Sequence, residues 1–401
     1  MRTEQSLSGN DRSRQGLNGQ IKNRNDVEVI LKFAGDISVG GLLPEEFIAT
    51  PSLAFPGSVV QALKADICFA NLESPFSATG SDNGKEWGVL WAKDEAISII
   101  KHAGFHIVSL ANNHICDAGH QGLFLTMDLL KKHGIKYVGA GRNLAKARRP
   151  ELIMVASGET VAFLAYLGQG HFPVHATQYM TATDDSPGAA PLVPEVYLED
   201  IHKAAAEYDI VVVSVHWSRQ DIDWVAPFRK GICDEMTKAG ASVVVGHHPH
   251  RLQAVRSHKG KMIYYSLGNF FFPPFHDARP HHPTPKTKQW NQLERSSVIA
   301  RICLKSGAIY SEELIPTVQE SDQAVLRLAN MTERTAIKKH IARLSRITNS
   351  FYYLLFYFFA TFLCDKIKIL AREPGWKSKM RRIGGFSKRQ LLRLLGEENH
   401  D

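Results

Sequence analysis

The amino-acid sequence predicts an α/β fold, and three observations support this. Apolar runs of strand length alternate along the chain with segments of helix length. Most of the apolar runs end in a polar or charged residue. Several helical segments end at a glycine, which is common at helix C-termini. The predicted strands lie at residues 27–34, 67–70, 106–111, 210–215, 241–245 and 262–265. The clearest predicted helices lie at residues 93–103, 119–133, 195–208 and 227–239.

Length and composition are those of a globular protein. The 401 residues permit one large domain with an appendage, or two domains. The chain is 44% hydrophobic and 22% charged. Its five cysteines are odd in number, scattered and without a Cys-x-x-Cys pair. The sequence therefore favours a reducing compartment over a disulfide framework.

The first 26 residues are polar and contain no apolar stretch of the signal-peptide type. We predict that residues 1–26 form a disordered leader, neither a signal peptide nor a membrane anchor. On this basis the protein is expected to be cytoplasmic or peripheral to the inner face of the membrane.

Residue types that bind metals follow the predicted strands. In α/β sheets, ligands bind beyond the carboxyl ends of strands, where side chains converge. One polar residue there is usually a helix cap, but successive strand ends that all carry such residues indicate a site. These residues are Asp36, Glu73, Asn113, His114, His216, His248 and His250. Oxygen and nitrogen donors without thiolate suit one or two divalent ions, of Mn, Fe, Zn or Mg.

The segment from Gly246 to His250, GHHPH, is the densest group of candidate ligands. Glycine permits a sharp turn after the strand, and His248 and His250 can face one ion. Two histidines supply only part of a metal site, so the prediction of a site depends on further ligands from the other strand ends. A carboxylate that bridges two ions suits metal-assisted hydrolysis. His114 directly follows a candidate ligand and is placed to donate a proton to a leaving group.

The chain resembles the bacterial CapA family in six motifs that occur in the same order and spacing. They are FAGDISVGG, FANLESPF, VSLANNHICDAG, VSVHWSRQ, VGHHPHRLQ and YSLGNFFF. This family is named for poly-γ-glutamate capsule synthesis and looks like a branch of the calcineurin-like metallophosphoesterases. The resemblance implies a four-layer α/β/β/α sandwich, which we assign to residues 27–318. It also implies a two-metal site in the loops at one edge of the paired sheets.

The resemblance also implies a role for each candidate ligand. Glu73 takes the place of the bridging carboxylate. One metal site is completed by Asn113, His216 and His248, and the other by Asp36 and His250. His114 takes the place of the general acid. The residues expected to line the site or bind substrate are Asn71, Asn112, His247, Gln253, Ser266 and Asn269.

The sequence departs from the wider pattern at several positions. Ordinary metallophosphoesterases have a histidine two residues after the first aspartate, whereas this chain has Ser38. The CapA family generally lacks that histidine too, so this departure agrees with the resemblance. Ser218 and Gln220 stand where the family pattern has Gly and Glu. We expect Asp221 or Asp223 to supply the missing carboxylate.

Residues 319–401 are predicted to form a basic helical tail. Two closing strands are expected within residues 295–316, before a basic helix over residues 323–347 and an aromatic helix over 351–364. Between residues 366 and 393 there are ten Lys or Arg residues and one acid. Residues 351–393 therefore suit peripheral contact with a membrane, although packing of the aromatic helix on the domain is an equal alternative. Nucleic acid is not favoured, because no aromatic platform or known motif is present.

The sequence thus predicts a CapA-type, metal-dependent hydrolase that acts in the synthesis, release or anchoring of an anionic surface polymer such as poly-γ-glutamate. Its expected partners are that polymer or other capsule-synthesis proteins. Two alternatives remain open. One is a non-catalytic assembly protein at the membrane, and the other is a phosphodiesterase or phosphatase with a small soluble substrate.

Overall fold

The computed structural model describes residues 28–78, 89–168, 179–277, 286–320, 324–355 and 357. The predicted leader, the basic segment 366–393 and most of the predicted aromatic helix lie outside these residues.

The described strands are β1 Val29–Ile37, β2 Ile67–Leu72, β3 Ile107–Ser109, β4 Lys136–Val138, β5 Ala140–Gly141, β6 Glu151–Met154, β7 Thr160–Leu167, β8 Gly188–Ala189, β9 Ile210–His216, β10 Val243–His247, β11 Val255–His258, β12 Lys261–Tyr264, β13 Asn269–Phe271, β14 Phe275–Asp277, β15 Lys286–Lys288, β16 Ser296–Lys305, β17 Ala308–Gln319 and β18 Leu326–Leu328.

The described helices are α1 Glu45–Ala49, α2 Gly57–Leu63, α3 Ile97–Ala103, α4 Gly119–Lys132, α5 Leu144–Ala147, α6 Pro194–Glu207, α7 Pro227–Ala239 and α8 Met331–Thr348. Short 3-10 turns lie at Pro51–Leu53 and Asp94–Ala96.

Two large sheets form the centre of the protein. The first has the order β18-β17-β16-β1-β2-β3-β4, with β13 also paired to β1. The second has the order β11-β12-β10-β9-β7-β6. Strands β1 to β4 are parallel, and so are β7, β9, β10 and β12. The parallel strands of each sheet therefore end at a common edge, where the candidate ligands follow them.

The two sheets face each other across one apolar core. Phe69 of the first sheet stacks on Phe163 of the second, with ring centroids 5.6 Å apart. The outer face of the second sheet packs against α6 and α7 through side chains such as Ile201 and Met236. Helices α2 and α4 contact the first sheet. The predicted α/β/β/α layering is confirmed.

Most of the predicted elements are confirmed within a few residues. The two closing strands are β16 and β17, which pair around the turn at Ser306. The sequence analysis did not identify β7, although it is an eight-residue strand paired with both β6 and β9 inside the second sheet.

The predicted helix over residues 323–347 is wrong in its first part. Residues 326–328 form β18, which extends the first sheet, and the helix begins at Met331. A capping box fixes this start, because Asn330 accepts a hydrogen bond from the Glu333 N–H and the Glu333 carboxylate accepts one from the Asn330 N–H. The helix packs on the domain through Ile337, Ile341 and Leu344.

The chain after α8 has one buried and several exposed aromatic or aliphatic side chains. The Tyr353 hydroxyl donates to the carbonyl oxygen of Val225, whereas Phe351 and Leu355 are exposed. Within the described part of the chain, every helix is too short or too polar to cross a bilayer.

Candidate metal centre

The candidate ligands meet at the edge where the parallel strands of both sheets end. Asp36 lies near the end of β1, and Glu73 follows β2. Asn113 and His114 follow β3, His216 ends β9, and His248 and His250 follow β10. The sequence separation between the first and last of these exceeds 200 residues, yet all are buried together. Burial of so many polar groups is costly unless they are paired or bind an ion.

The backbone at this edge is tightly packed at Gly246 and strained at His248 and His250. A Cβ atom added to Gly246 would lie 2.0 Å from the carbonyl oxygen of Tyr265, so only glycine fits. His248 and His250 have φ angles of 93° and 56°, which are unfavourable for residues with a side chain. Strain of this kind is concentrated at functional sites.

The first set of converging donors, which we name the His216 group, consists of Glu73, His216 and His248. The Nε2 atom of His216 lies 3.0 Å from Nδ1 of His248. It also lies 2.7 Å from Oδ1 of Asn113 and 3.8 Å from Oε1 of Glu73. Two imidazole nitrogens, an amide oxygen and a carboxylate thus face one point, as the ligands of a divalent cation do.

The second set, which we name the Asp36 group, consists of Asp36, Glu73 and His250. The Nδ1 atom of His250 lies 3.7 Å from Oδ2 of Asp36, and its Nε2 atom lies 3.7 Å from Oε1 of Glu73. Asn269 places its Oδ1 atom 2.8 Å from Nδ1 of His250. Glu73 belongs to both groups, which is the position expected of a bridging carboxylate.

His114 stands beside both groups without belonging to either. Its Nε2 atom lies 3.8 Å from Oε1 of Glu73. Its Nδ1 atom lies 2.6 Å from Oδ2 of the buried Asp117. The carboxylate of Asp117 also accepts a hydrogen bond from the N–H of Leu90. The sequence analysis did not identify Asp117, although it lies only three residues beyond His114 in the same motif.

Electrostatic conditions at the edge favour cation ligation. Burial, and then the neighbouring His248 and other imidazoles, hold the pKa of His216 well below its ordinary value. Burial alone would raise the pKa of Asp36, but His247, His250 and the N–H of His248 outweigh it and lower the pKa. A neutral imidazole and an ionised carboxylate are the forms that bind metals.

Four of the six predicted lining residues contact the ligands or each other. Asn71 donates from Nδ2 to Oδ1 of Asp36 at 2.9 Å, and Asn112 donates from Nδ2 to Oδ1 of Asn71 at 3.3 Å. The Nδ1 atom of His247 lies 3.2 Å from Oδ1 of Asp36. Asn269, described above, is the fourth. These side chains orient the ligand atoms, as outer residues of metal sites do.

The other two lining residues have local contacts. Gln253 donates from Nε2 to the carbonyl oxygens of Ile222 and Trp224, so it holds the loop after β9. Ser266 accepts a hydrogen bond from the N–H of Gly268 and stabilises the turn there.

The positions that depart from the wider pattern add no ligand to either group. Ser38 accepts a hydrogen bond from the N–H of Gly40. Asp221 is exposed, and Asp223 instead lies 3.5 Å from Arg251 and 3.7 Å from His340. Neither aspartate belongs to a ligand group, and the expectation that one of them takes the place of the family's glutamate stays a prediction. Ser218 and Asp221 have positive φ angles, and Asp223, two residues further on, contacts His340 of α8.

Comparison with known families places the chain in one group of proteins. Residues 30–274 match the model of the family described as "Bacterial capsule synthesis protein PGA_cap". This match covers more than half of the chain, the six candidate ligands and His114. The chain belongs to this capsule synthesis family. The resemblance to CapA found in the sequence motifs is thereby confirmed.

Two curated relatives carry the CapA name. The PGA biosynthesis protein CapA of Bacillus subtilis (strain 168) is 26% identical over 80% of this chain and 80% of its own length. The capsule biosynthesis protein CapA of Bacillus anthracis is 32% identical over 63% of this chain and 62% of its own length. The alignment thus leaves out more than a third of the second relative.

Two solved structures match the chain at lower sequence identity. A hypothetical protein from Thermus thermophilus is 15% identical, with a TM-score of 0.44 over 72% of this chain and 98% of that one. The calcineurin-like phosphoesterase YfkN from Bacillus subtilis is 10% identical, with a TM-score of 0.38 over 81% of this chain and all of that one.

Proposed function

We propose that this member of the capsule synthesis family is a metal-dependent hydrolase that acts on a poly-γ-glutamate chain or on its attachment to another molecule. The observation that carries the proposal is the convergence of Asn113, His216 and His248 on one point, beside a carboxylate that both ligand groups share.

The donor set fits a divalent cation. His216 Nε2 and His248 Nδ1 lie 3.0 Å apart, and one donor atom from each of Glu73, His216 and His248 lies within 4.8 Å of the others. Asn113, His216, His248 and Glu73 would hold one ion, and Asp36, His250 and Glu73 a second. Mn, Fe, Zn and Mg all remain compatible with these oxygen and nitrogen donors. When bound, the ions would supply Lewis-acid charge beside the scissile bond.

The residues of the chain would handle the leaving group. We assign the general acid to His114, because its Nε2 atom faces Glu73 while its Nδ1 atom is held by Asp117 at 2.6 Å. A carboxylate on Nδ1 stabilises the protonated imidazole and fixes its direction. His114 can then deliver the Nε2 proton to the departing oxygen or nitrogen. The hydrolysis consumes one water molecule: its oxygen would bond to the carbonyl carbon as the bond to the leaving group breaks, and one of its protons would restore protonated His114.

The substrate class comes from the relatives. Two of them are named for PGA or capsule biosynthesis, and the family model carries the same description. We extend this role to the present chain, with the anionic polymer or other capsule-synthesis proteins as partners. The sequence-based expectation of a location in the cytoplasm, or at the inner face of the membrane through residues 351–393, is retained as part of the proposal.

The test measures chain cleavage and metal content together. Purified full-length protein, loaded in turn with Mn²⁺, Zn²⁺ and Mg²⁺, is incubated with poly-γ-glutamate, and chain length is followed by size-exclusion chromatography. We expect shortening with at least one metal and its loss in His114→Ala, whose metal content stays at the wild-type value. Cleavage by His114→Ala at the wild-type rate would contradict the assignment of the acid.

A non-catalytic assembly role is the second candidate, and one observation favours it. Ser38 bonds to the Gly40 N–H and leaves the Asp36 group one histidine short of the ordinary metallophosphoesterase set. In this case the wild-type protein and His114→Ala would both bind the polymer and leave its length unchanged under every metal tested.

A further inference from the structure

A polar cavity lies between α8, the strands β16 and β17, and the chain that follows His250. Its volume is about 400 Å³, which is within the range of small-molecule sites. The charged residues that line it are Asp223, Arg251, Arg295, Glu320, Arg327 and Glu333. Ala336 of α8 also lines the cavity and is exposed, so the cavity is open to solvent there.

Arg251 is buried in this cavity and is incompletely bonded. Its side chain is 7% exposed, and its guanidinium lies 3.5 Å from Asp223 and 3.8 Å from Glu294. Both distances are at or beyond the limit of a hydrogen bond. Within the described residues its Nε atom is buried and has no hydrogen-bond partner. The two Nη atoms of Arg251 are therefore only weakly paired, and its guanidinium is suited to a further acceptor in the cavity.

Arg295 also lines this cavity. Its Nη1 atom donates to the carbonyl oxygen of Gln319 at 3.0 Å. Its Nε atom is likewise buried without a partner among the residues that the structure describes. Two guanidinium groups that line one cavity match a planar carboxylate, which accepts two hydrogen bonds side by side.

The remaining charges limit the ligand to a low net charge. Arg327 is already paired with Glu333 at 2.6 Å and also contacts Glu320. Three arginines and three acids line the cavity, and the nearby His340 is largely buried, which lowers its pKa. A strongly charged anion would meet Asp223, Glu320 and Glu333, whereas an amino acid unit with one carboxylate and one amine would meet complementary groups.

We propose that this cavity binds a single glutamyl unit, by its carboxylate, through Arg251 and Arg295. The carboxylate is inferred from the two arginines, while the choice of a glutamyl unit rests on the proposed function. Because Arg251 directly follows His250, a bound chain end would be held next to the Asp36 group. The cavity would then set which end of a polymer reaches the metal centre.

The test is isothermal titration calorimetry of the metal-loaded full chain with the dipeptide γ-glutamyl-glutamate. We expect binding by the wild type and at least about tenfold weaker binding by Arg295→Met, because one charged hydrogen bond is lost. Ala336→Phe keeps every charge and fills the cavity, so it should weaken binding as much. Arg346→Met removes the same charge from an exposed position on α8 and should bind as the wild type does.

Three results would overturn the inference. The first is that the wild type does not bind the dipeptide at concentrations up to about 10 mM. The second is that Arg295→Met and Ala336→Phe both bind the dipeptide with wild-type affinity. The third is that the wild type binds inorganic phosphate as tightly as it binds the dipeptide. Metal content and polymer cleavage are measured on the same samples. Dipeptide binding without polymer cleavage would support the glutamyl site and contradict the hydrolase activity. Polymer cleavage without dipeptide binding would support the hydrolase activity and contradict the glutamyl site.

Discussion

The two ligand groups share Glu73 but differ in how completely they are built. In the His216 group, Asn113 and His248 place their donor atoms within 3.0 Å of His216 Nε2. In the Asp36 group the nitrogens of His250 lie 3.7 Å from the two carboxylates, much as His216 lies 3.8 Å from Glu73, but this group contains one histidine where the His216 group contains two. The Asp36 group also has Ser38 where a further histidine would stand. The comparison teaches that one ion should be bound tightly and the other weakly.

Removal of the shared carboxylate should have the largest effect. Glu73→Ala takes one ligand from each group and leaves a buried cluster of imidazoles, so we expect metal content to fall from about two ions per chain to none. Plasma mass spectrometry of the purified protein measures this. Glu199→Ala, on the exposed surface of α6, is the matched control and should keep the wild-type content. A variant without Glu73 that retains one tight ion would show that the groups do not share it.

The histidine variants should separate the two ions. His248→Ala should weaken the tighter ion by at least about 100-fold, more than an outer-residue change does. His250→Ala should remove only the weaker ion and leave one equivalent in place. Competition with a chromophoric chelator gives both dissociation constants. Loss of the tighter ion in His250→Ala would reverse the order of the two groups.

Substitution of Asp117 should separate acid chemistry from metal binding. Asp117→Asn keeps the size of the side chain but removes the charge that stabilises protonated His114. We expect the cleavage rate to fall about 10-fold to 100-fold, part of the roughly 10²–10⁴ that a positioned acid contributes. Both dissociation constants should stay at their wild-type values. A shift in either constant would mean that Asp117 acts through the metal ligands.

Restoration of the missing histidine should have the smallest effect, and it sharpens the comparison directly. Ser38→His places an imidazole two residues after Asp36, where it can reach the weaker site. We expect roughly tenfold tighter binding of the second ion with no change in the first. Ser38→Ala, which also loses the hydrogen bond from Gly40, is the control for packing at this buried position. Tightening in both variants would exclude ligation as the cause.

The sequence was sufficient to predict the parallel strands and the polar residues at their ends. Strand ends such as Glu73 and His216 could be identified because a β-branched or apolar run stops abruptly at each of them. The convergence of Asp36 with His248 could be anticipated from strand-end geometry, but the distance between them depends on how two separate sheets pack. That packing is set by contacts such as Phe69 on Phe163, which no local pattern encodes.

Other features were missed for identifiable reasons. Strand β7, TVAFLAYL, does not end in a polar or charged residue, which was the pattern used to predict the other strands. The three residues of β18 resemble the start of a basic helix and become a strand only through pairing with β17. Asp117 was passed over because its significance depends on a side-chain contact with His114. The partners of Asp223 could not be predicted, because α8 lies more than 100 residues away in the chain.

The most direct test of the central claim is a crystal structure of the Mn²⁺-loaded protein, with anomalous scattering recorded at the manganese edge. Two peaks are predicted at the strand-end edge. The stronger should lie between Asn113 Oδ1, His216 Nε2 and His248 Nδ1, and the weaker between Asp36 and His250, with Glu73 touching both. A protein saturated with Mn²⁺ that shows no peak at the His216 group would contradict the account.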